Sequence, residues 1–205
     1  MQFLNRQSLA CLLLLMFLSL SCNHAVPRLG MGGRYEEGKE QFYRGRTGNM
    51  DVAIVALETV VSQDPTYKDS MTYLGRAYYN KRRYQDAYAL LQRAVVVNRE
   101  DEIGWIAFGL TQLRLGQNEA GIESLKGGIT IASKVMVDGY HDHMYFDTRG
   151  LVHAQIRRCA FLITKGIEEK SNILSSTERL LTLIDDEENS QRNTRIQNTR
   201  QLYGK

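Results

Sequence analysis

Apolar and small residues recur along this chain at a spacing of 34 positions. Ala53, Ala87 and Gly121 form one column, and Leu57, Leu91 and Leu125 a second. Val61, Val95 and Ile129 form a third, while Val60, Ala94 and Gly128 keep a fourth compact. Within each unit the members of the first three columns sit at i, i+4 and i+8, which is one face of a helix. A period of this length marks a stack of short supersecondary units. No such unit buries its own apolar face, so stacking is obligatory and the ends need caps.

A second pattern precedes these helices. Met71, Leu74 and Gly75 reappear as Trp105, Phe108 and Gly109. The bulky pair packs inward, and the glycine lets two helices of a hairpin approach closely. Gly48 and Gly116 fall at the turn inside the hairpin, where positive φ or the lack of a side chain is needed. Asp64-Pro65 closes the first unit, because proline cannot continue a helix behind it.

These residues resemble the tetratricopeptide repeat (TPR) family. In 68–99 the matching positions are Met71, Leu74, Gly75, Tyr78, Tyr84, Ala87, Leu91 and Ala94. In 102–133 they are Trp105, Phe108, Gly109, Gly116, Leu125 and Gly128, with Gln112 departing where Tyr or Leu is usual. In 34–67 the match runs from Gly48 to Pro65; Tyr35, Phe42 and Tyr43 supply the helix before it, with a small insertion. The resemblance implies an all-α solenoid of helical hairpins with three repeats, 34–67, 68–101 and 102–133.

Another 34-residue step gives Gln155, Cys159 and Ile163, out of register. Residues 134–148 read as an irregular connection. Helical pattern resumes near Arg149, with Asp147 or Thr148 as N-cap. A further helix is expected from Ser175, where Ser175-Ser176-Thr177-Glu178 has the form of a capping box. Together, 149–188 form a degenerate capping hairpin. The acidic run Asp185 to Glu188 reads as a solvated helix end, and the polar tail 189–205 as either a frayed segment or a short partner-binding helix.

At the other end, Arg6 precedes an apolar run from Leu9 to Leu20. About a dozen residues of helix span roughly 18 Å, short of a ~30 Å hydrocarbon core, so 1–21 read as a signal peptide. Ser19-Leu20-Ser21-Cys22 resembles the lipobox of bacterial lipoproteins, although Ser19 stands where an aliphatic residue is usual. That resemblance implies acylation of Cys22, a tether over 22–33, and an outer-membrane lipoprotein facing the periplasm. The same serines also satisfy an ordinary signal-peptidase site, which would leave a soluble periplasmic protein.

By resemblance to the family, the first helices line a concave partner-binding surface. Its positions are Asp69, Thr72, Arg76, Tyr79 and Asn80 in the middle unit, and Ile103, Ile106, Leu110, Leu113 and Arg114 in the next. The segment from Ile103 to Leu115 is apolar on nearly every side, and such a helix should be buried all round. Either the C-terminal segment folds over it or a partner peptide does.

Little points to chemistry. His141, Asp142 and His143, with Asp147 nearby, lack a fourth ligand for a structural zinc and read as a polar loop. Gly30 to Gly33 follows no strand and precedes no Lys-Ser/Thr, so it makes no phosphate cradle. Cys159 sits in an apolar run and reads as a buried hydrophobe. A net charge of +3, spread along the chain, gives no argument for nucleic acid. The expectation is a non-catalytic, lipid-anchored adaptor of the bacterial envelope that binds another protein, without cofactor or metal. The alternative is a secreted, unlipidated ligand-binding protein or enzyme accessory subunit.

Overall fold

A computed structural model describes residues 30–44, 47–138 and 146–203. The expected signal segment, Cys22 and the His141–His143 cluster lie outside them. The described helices are α1 Gly30–Tyr43, α2 Met50–Gln63, α3 Ser70–Asn80, α4 Tyr84–Val97, α5 Glu102–Arg114, α6 Asn118–Asp138, α7 Leu151–Lys165 and α8 Lys170–Tyr203, with a 3-10 turn at Ile167–Glu169. They pair in chain order as α1/α2, α3/α4, α5/α6 and α7/α8, and each hairpin stacks on the next. Among the described residues no helix is long and apolar enough to cross a membrane.

Each of the first three hairpins is closed by the leucine column meeting a glycine. A methyl group on Gly75 would lie 2.5 Å from Leu91 Cγ, and one on Gly109 2.7 Å from Leu125 Cγ. Gly38 takes the same place against Leu57, at 2.6 Å. It precedes Gly75 by 37 residues rather than 34, which locates the insertion in the first unit: the α1–α2 turn, 44–49, is longer than the 81–83 and 115–117 turns of the other two hairpins. The two predicted turn glycines solve different problems. Gly116 has φ +83°, whereas Gly48 is required by space, because a side chain there would meet the Gln41 carbonyl oxygen at 2.1 Å.

Gly109→Ala is expected to destabilise the fold more than Gly75→Ala. At Gly75 the nearest atoms belong to a leucine side chain that can shift. At Gly109 they include Leu125 N at 2.8 Å and Gly121 O at 2.9 Å, backbone atoms that cannot rotate away. Overpacking costs about 1–3 kcal/mol, while alanine regains up to about 1 kcal/mol of helix propensity. A net loss of about 1–2 kcal/mol at Gly109, and less at Gly75, would be read in urea melts.

Several sequence-based boundaries shift. Helix α1 starts at Gly30, inside the stretch expected as tether, and α6 continues to Asp138, through the start of the expected irregular connection. Helix α8 begins at Lys170, tied by Lys170 Nζ to Asn118 Oδ1 at 2.8 Å. Ser175 to Glu178 are therefore mid-helix residues rather than a capping box. Ser176 and Thr177 are buried, with Thr177 Oγ1 donating to the buried Cys159 thiol. Burial pushes that thiol up to about 11. The polar tail stays helical to Tyr203, since neither Gly nor Pro interrupts it between Gly166 and Gly204.

Gly150, with φ +66°, takes the N-cap position of α7 in place of Asp147 or Thr148, and Asp147 supplies the capping side chain from three residues earlier. Its carboxylate accepts from Val152 N and His153 N, both at 2.9 Å, and pairs with His153 Nδ1 at 2.7 Å. Burial pushes the carboxyl up, but these donors outweigh it and hold it below its ordinary value. A depressed carboxylate stabilises the fold above its unfolded value, near 4, and that stability is lost as pH falls through the lower folded value. Asp147→Ala should thus cost about 1–2 kcal/mol at neutral pH. Thermal melts should show the difference from the parent shrinking below about pH 4.

Candidate functional site

Helices α1, α3 and α5 pack on one another along one side of the stack, the side expected to be concave, and α8 lies across it. This follows from two stripes on α8. Ile173, Thr177, Leu180 and Ile184 share one side, are buried, and belong to the face that closes the α7/α8 hairpin. Glu178, Leu181, Asp185, Glu188 and Arg192, at i, i+3, i+7, i+10 and i+14, make an adjacent stripe. A 34-residue helix is about 51 Å long and α7 about 22 Å. The rest of α8 therefore runs on beyond its hairpin partner.

The second stripe meets the repeats through a ladder of polar contacts. Glu178 accepts from Tyr79 Oη at 2.5 Å and from Arg114 at 2.6 Å. Asp185 pairs with Arg76 at 2.5 Å, the arginine side chain being 7% exposed and the carboxylate 22%. Glu188 accepts from Tyr43, whose hydroxyl also contacts that of Tyr73. Arg192 reaches Glu36 of α1 at 3.5 Å. Taken in order, α8 crosses α5, then α3, then α1.

Burial sets the electrostatics. Desolvation raises the pKa values of the Tyr43 and Tyr73 phenols, with the Glu188 charge adding to it. For Arg76 burial alone would lower the value, but Asp185 overrides it and keeps the guanidinium charged. Burial pushes the Asp185 carboxyl up, against the pull of Arg76. The pair thus sits in a site where either charge alone would be costly.

The ten positions expected to form the groove divide three ways. Arg76, Tyr79 and Arg114 do face the groove, where α8 occupies them, and Asn80 and Leu110 line the space beside it. Asp69 and Thr72 instead join repeat to repeat, Asp69 accepting from Tyr35 and Thr72 donating to Asp101. Ile106 and Leu113 are fully buried and face α6, against Gly128 and Gly121, while Ile103 is half-buried against the core. The second apolar side of α5 is thus covered by the chain itself. On α5 the concave residues are Ala107, Leu110 and Arg114. Ala107 and Tyr73 were not singled out by sequence, and Tyr43 only as an apolar residue of its helix; the 34-residue spacing of Tyr73 and Ala107 was the available signal.

A cavity of about 330 Å³ remains where α3, α5 and α8 meet, lined by Arg76, Arg82, Arg114, Tyr84, Leu110 and Asp185 among others. Among the described residues no three His, Cys, Asp or Glu side chains converge as a metal site, and Asp147 and His153 are engaged in the α7 cap.

A family model described as Tetratricopeptide repeat matches residues 46–107, from the turn before α2 into α5. No curated protein matches the chain. A solved structure titled "Crystal structure of MamA" is similar at 20% sequence identity and a TM-score of 0.48, covering 80% of this chain and 81% of that one. That likeness is too distant to transfer anything from one protein to the other. Residues 46–107 carry the tetratricopeptide repeat, within an all-α solenoid of hairpins of that type.

Proposed function

We propose that this chain is a lipid-anchored protein-interaction scaffold of the bacterial cell envelope, which binds rather than catalyses. The observation that supports the binding role is the composition of the concave face. Tyr43, Tyr73, Arg76, Tyr79 and Arg114 present hydroxyl and guanidinium donors to a helix laid across them. Tyrosine and arginine are the residue types enriched at protein interfaces and their energetic centres. The partner is another envelope protein or a peptide segment of one, and no cofactor or nucleic acid enters the reading.

The anchoring role rests on the apolar run Leu9 to Leu20 and on Ser21-Cys22. With α1 starting at Gly30, the few residues between Cys22 and the solenoid reach at most about 25 Å. Acyl chains on Cys22 would therefore hold the first hairpin close to the bilayer surface, with several chains giving stable attachment. Mass spectrometry of the mature N-terminus tests this directly. An acylated cysteine at residue 22 is expected, whereas an unmodified terminus there replaces the anchor with the soluble periplasmic alternative. Crosslinking on native membranes, followed by mapping of the crosslinked residues, tests the binding role. Crosslinks from α3 or α5 to one protein are expected, and recovery of small molecules alone would contradict it.

A further inference from the structure

We propose that the concave face is a receptor for an acidic helix carrying carboxylates at i, i+7 and i+10, and that α8 fills it in cis in place of such a partner. This rests on the scaffold reading and names the chemistry of what the scaffold takes. Charge complementarity carries it. Around the cavity between α3, α5 and α8 every cation, Arg76, Arg82 and Arg114, comes from the repeats. Both anions, Glu178 and Asp185, come from α8. Without α8, α3, the turn that follows it and α5 would present three guanidinium groups and no carboxylate around that space.

The geometry of α8 makes the replacement feasible. Its apolar stripe, Ile173, Leu180 and Ile184, is buried in the terminal hairpin with α7. Its carboxylate stripe touches the repeats through side-chain polar atoms, with the buried Leu181 among them. Nothing in that ladder is particular to α8 except spacing: carboxylates at 178, 185 and 188, with Leu181 beside the cavity. A partner helix with Glu or Asp at those intervals and Leu at i+3 would offer the same acceptors. Recognition of an amphipathic helix by anchors at such intervals is an established mode of groove binding, and polar contacts exchange between competing helices more readily than a packed apolar face.

The test uses the purified full chain and a fluorescein-labelled peptide of residues 174–192. It compares the parent with Glu178→Gln/Asp185→Asn/Glu188→Gln, in which the cis stripe is neutralised. Anisotropy is expected to show at least tenfold tighter peptide binding to the neutralised variant than to the parent. Adding Arg76→Met should remove that gain, as should a peptide with amides in place of the carboxylates at 178, 185 and 188. Circular dichroism melts establish that each variant folds; should the triple variant not melt cooperatively, Glu188→Gln alone, at the outer end of the ladder, serves as the opened form. Equal binding to parent and opened variant, binding indifferent to the peptide carboxylates, or no saturable binding to a folded opened variant would each overturn the proposal. The assay needs neither membrane nor native partner. Its failure leaves a scaffold acting through another face, while an unacylated Cys22 would leave this surface untouched.

Discussion

Replacing Arg76 with alanine is expected to lower stability by about 3–5 kcal/mol, because it strands a carboxylate that α8 has carried out of water. In a chain of this size that is about 6–20 °C in melting temperature. The effect is large for a position on the concave side, where a free groove residue would change stability by only a few tenths of a kcal/mol. It arises because Asp185 has its guanidinium partner at 2.5 Å and little exposure to water. The converse experiment separates charge from packing. Arg76→Met combined with Asp185→Leu removes both charges while keeping volume, and should return most of the lost stability. Equilibrium denaturation of the two single variants and the double variant gives the coupling directly.

The second large effect is expected from Ile106→Ser with Leu110→Ser, which should unfold the protein. Both side chains are fully buried, Ile106 against Gly128 of α6 and Leu110 near Ala107 and Leu181 at the groove. Truncating each costs about 2–5 kcal/mol, and the buried hydroxyls add to it. The sum rivals the whole stability of a typical domain, about 5–15 kcal/mol. Far-UV circular dichroism of the purified variant reads the outcome. A fully helical, cooperatively melting double variant would mean that this side of α5 is open to a partner and that α8 does not cover it.

The repeats were legible because their information is local and redundant. Four columns recur at one spacing, and Leu57, Leu91 and Leu125 each meet a glycine as the pattern requires. The first hairpin was harder, since its longer turn moves Gly38 out of step with Gly75 and hides the same contact. That the C-terminal segment folds over α5 was one of two readings of its apolar sides, but the contacts that hold it were not legible, because they join residues far apart in sequence: Arg76 to Asp185, Tyr43 to Glu188, Glu36 to Arg192. A polar helix looks the same in sequence whether it faces water or a row of arginines and tyrosines. The heptad spacing of Glu178, Asp185 and Arg192 was the trace available. The acidic run at 185–188 was read as solvated, but Asp185 and Glu188 are groove contacts; of the two readings of the tail, frayed or a short helix, the helix is the one found.

The groove register erred for a related reason. On a helix apolar all round, hydrophobicity gives no direction, so Ile106 and Leu113 were grouped with Leu110 although they face α6. In α3, polar residues supplied the direction: Arg76, Tyr79 and Asn80 lie at the groove as expected.

Hydrogen exchange reads whether α8 lies along the concave face of this chain, held there by its carboxylate stripe. Amides of residues 178–192 in the parent should be protected to the same degree as those of α3, and Arg76→Met should accelerate exchange in 185–192 while leaving 173–180, packed on α7, protected. Exchange of 185–192 in the parent at the rate of an unstructured peptide, unchanged by Arg76→Met, would contradict it.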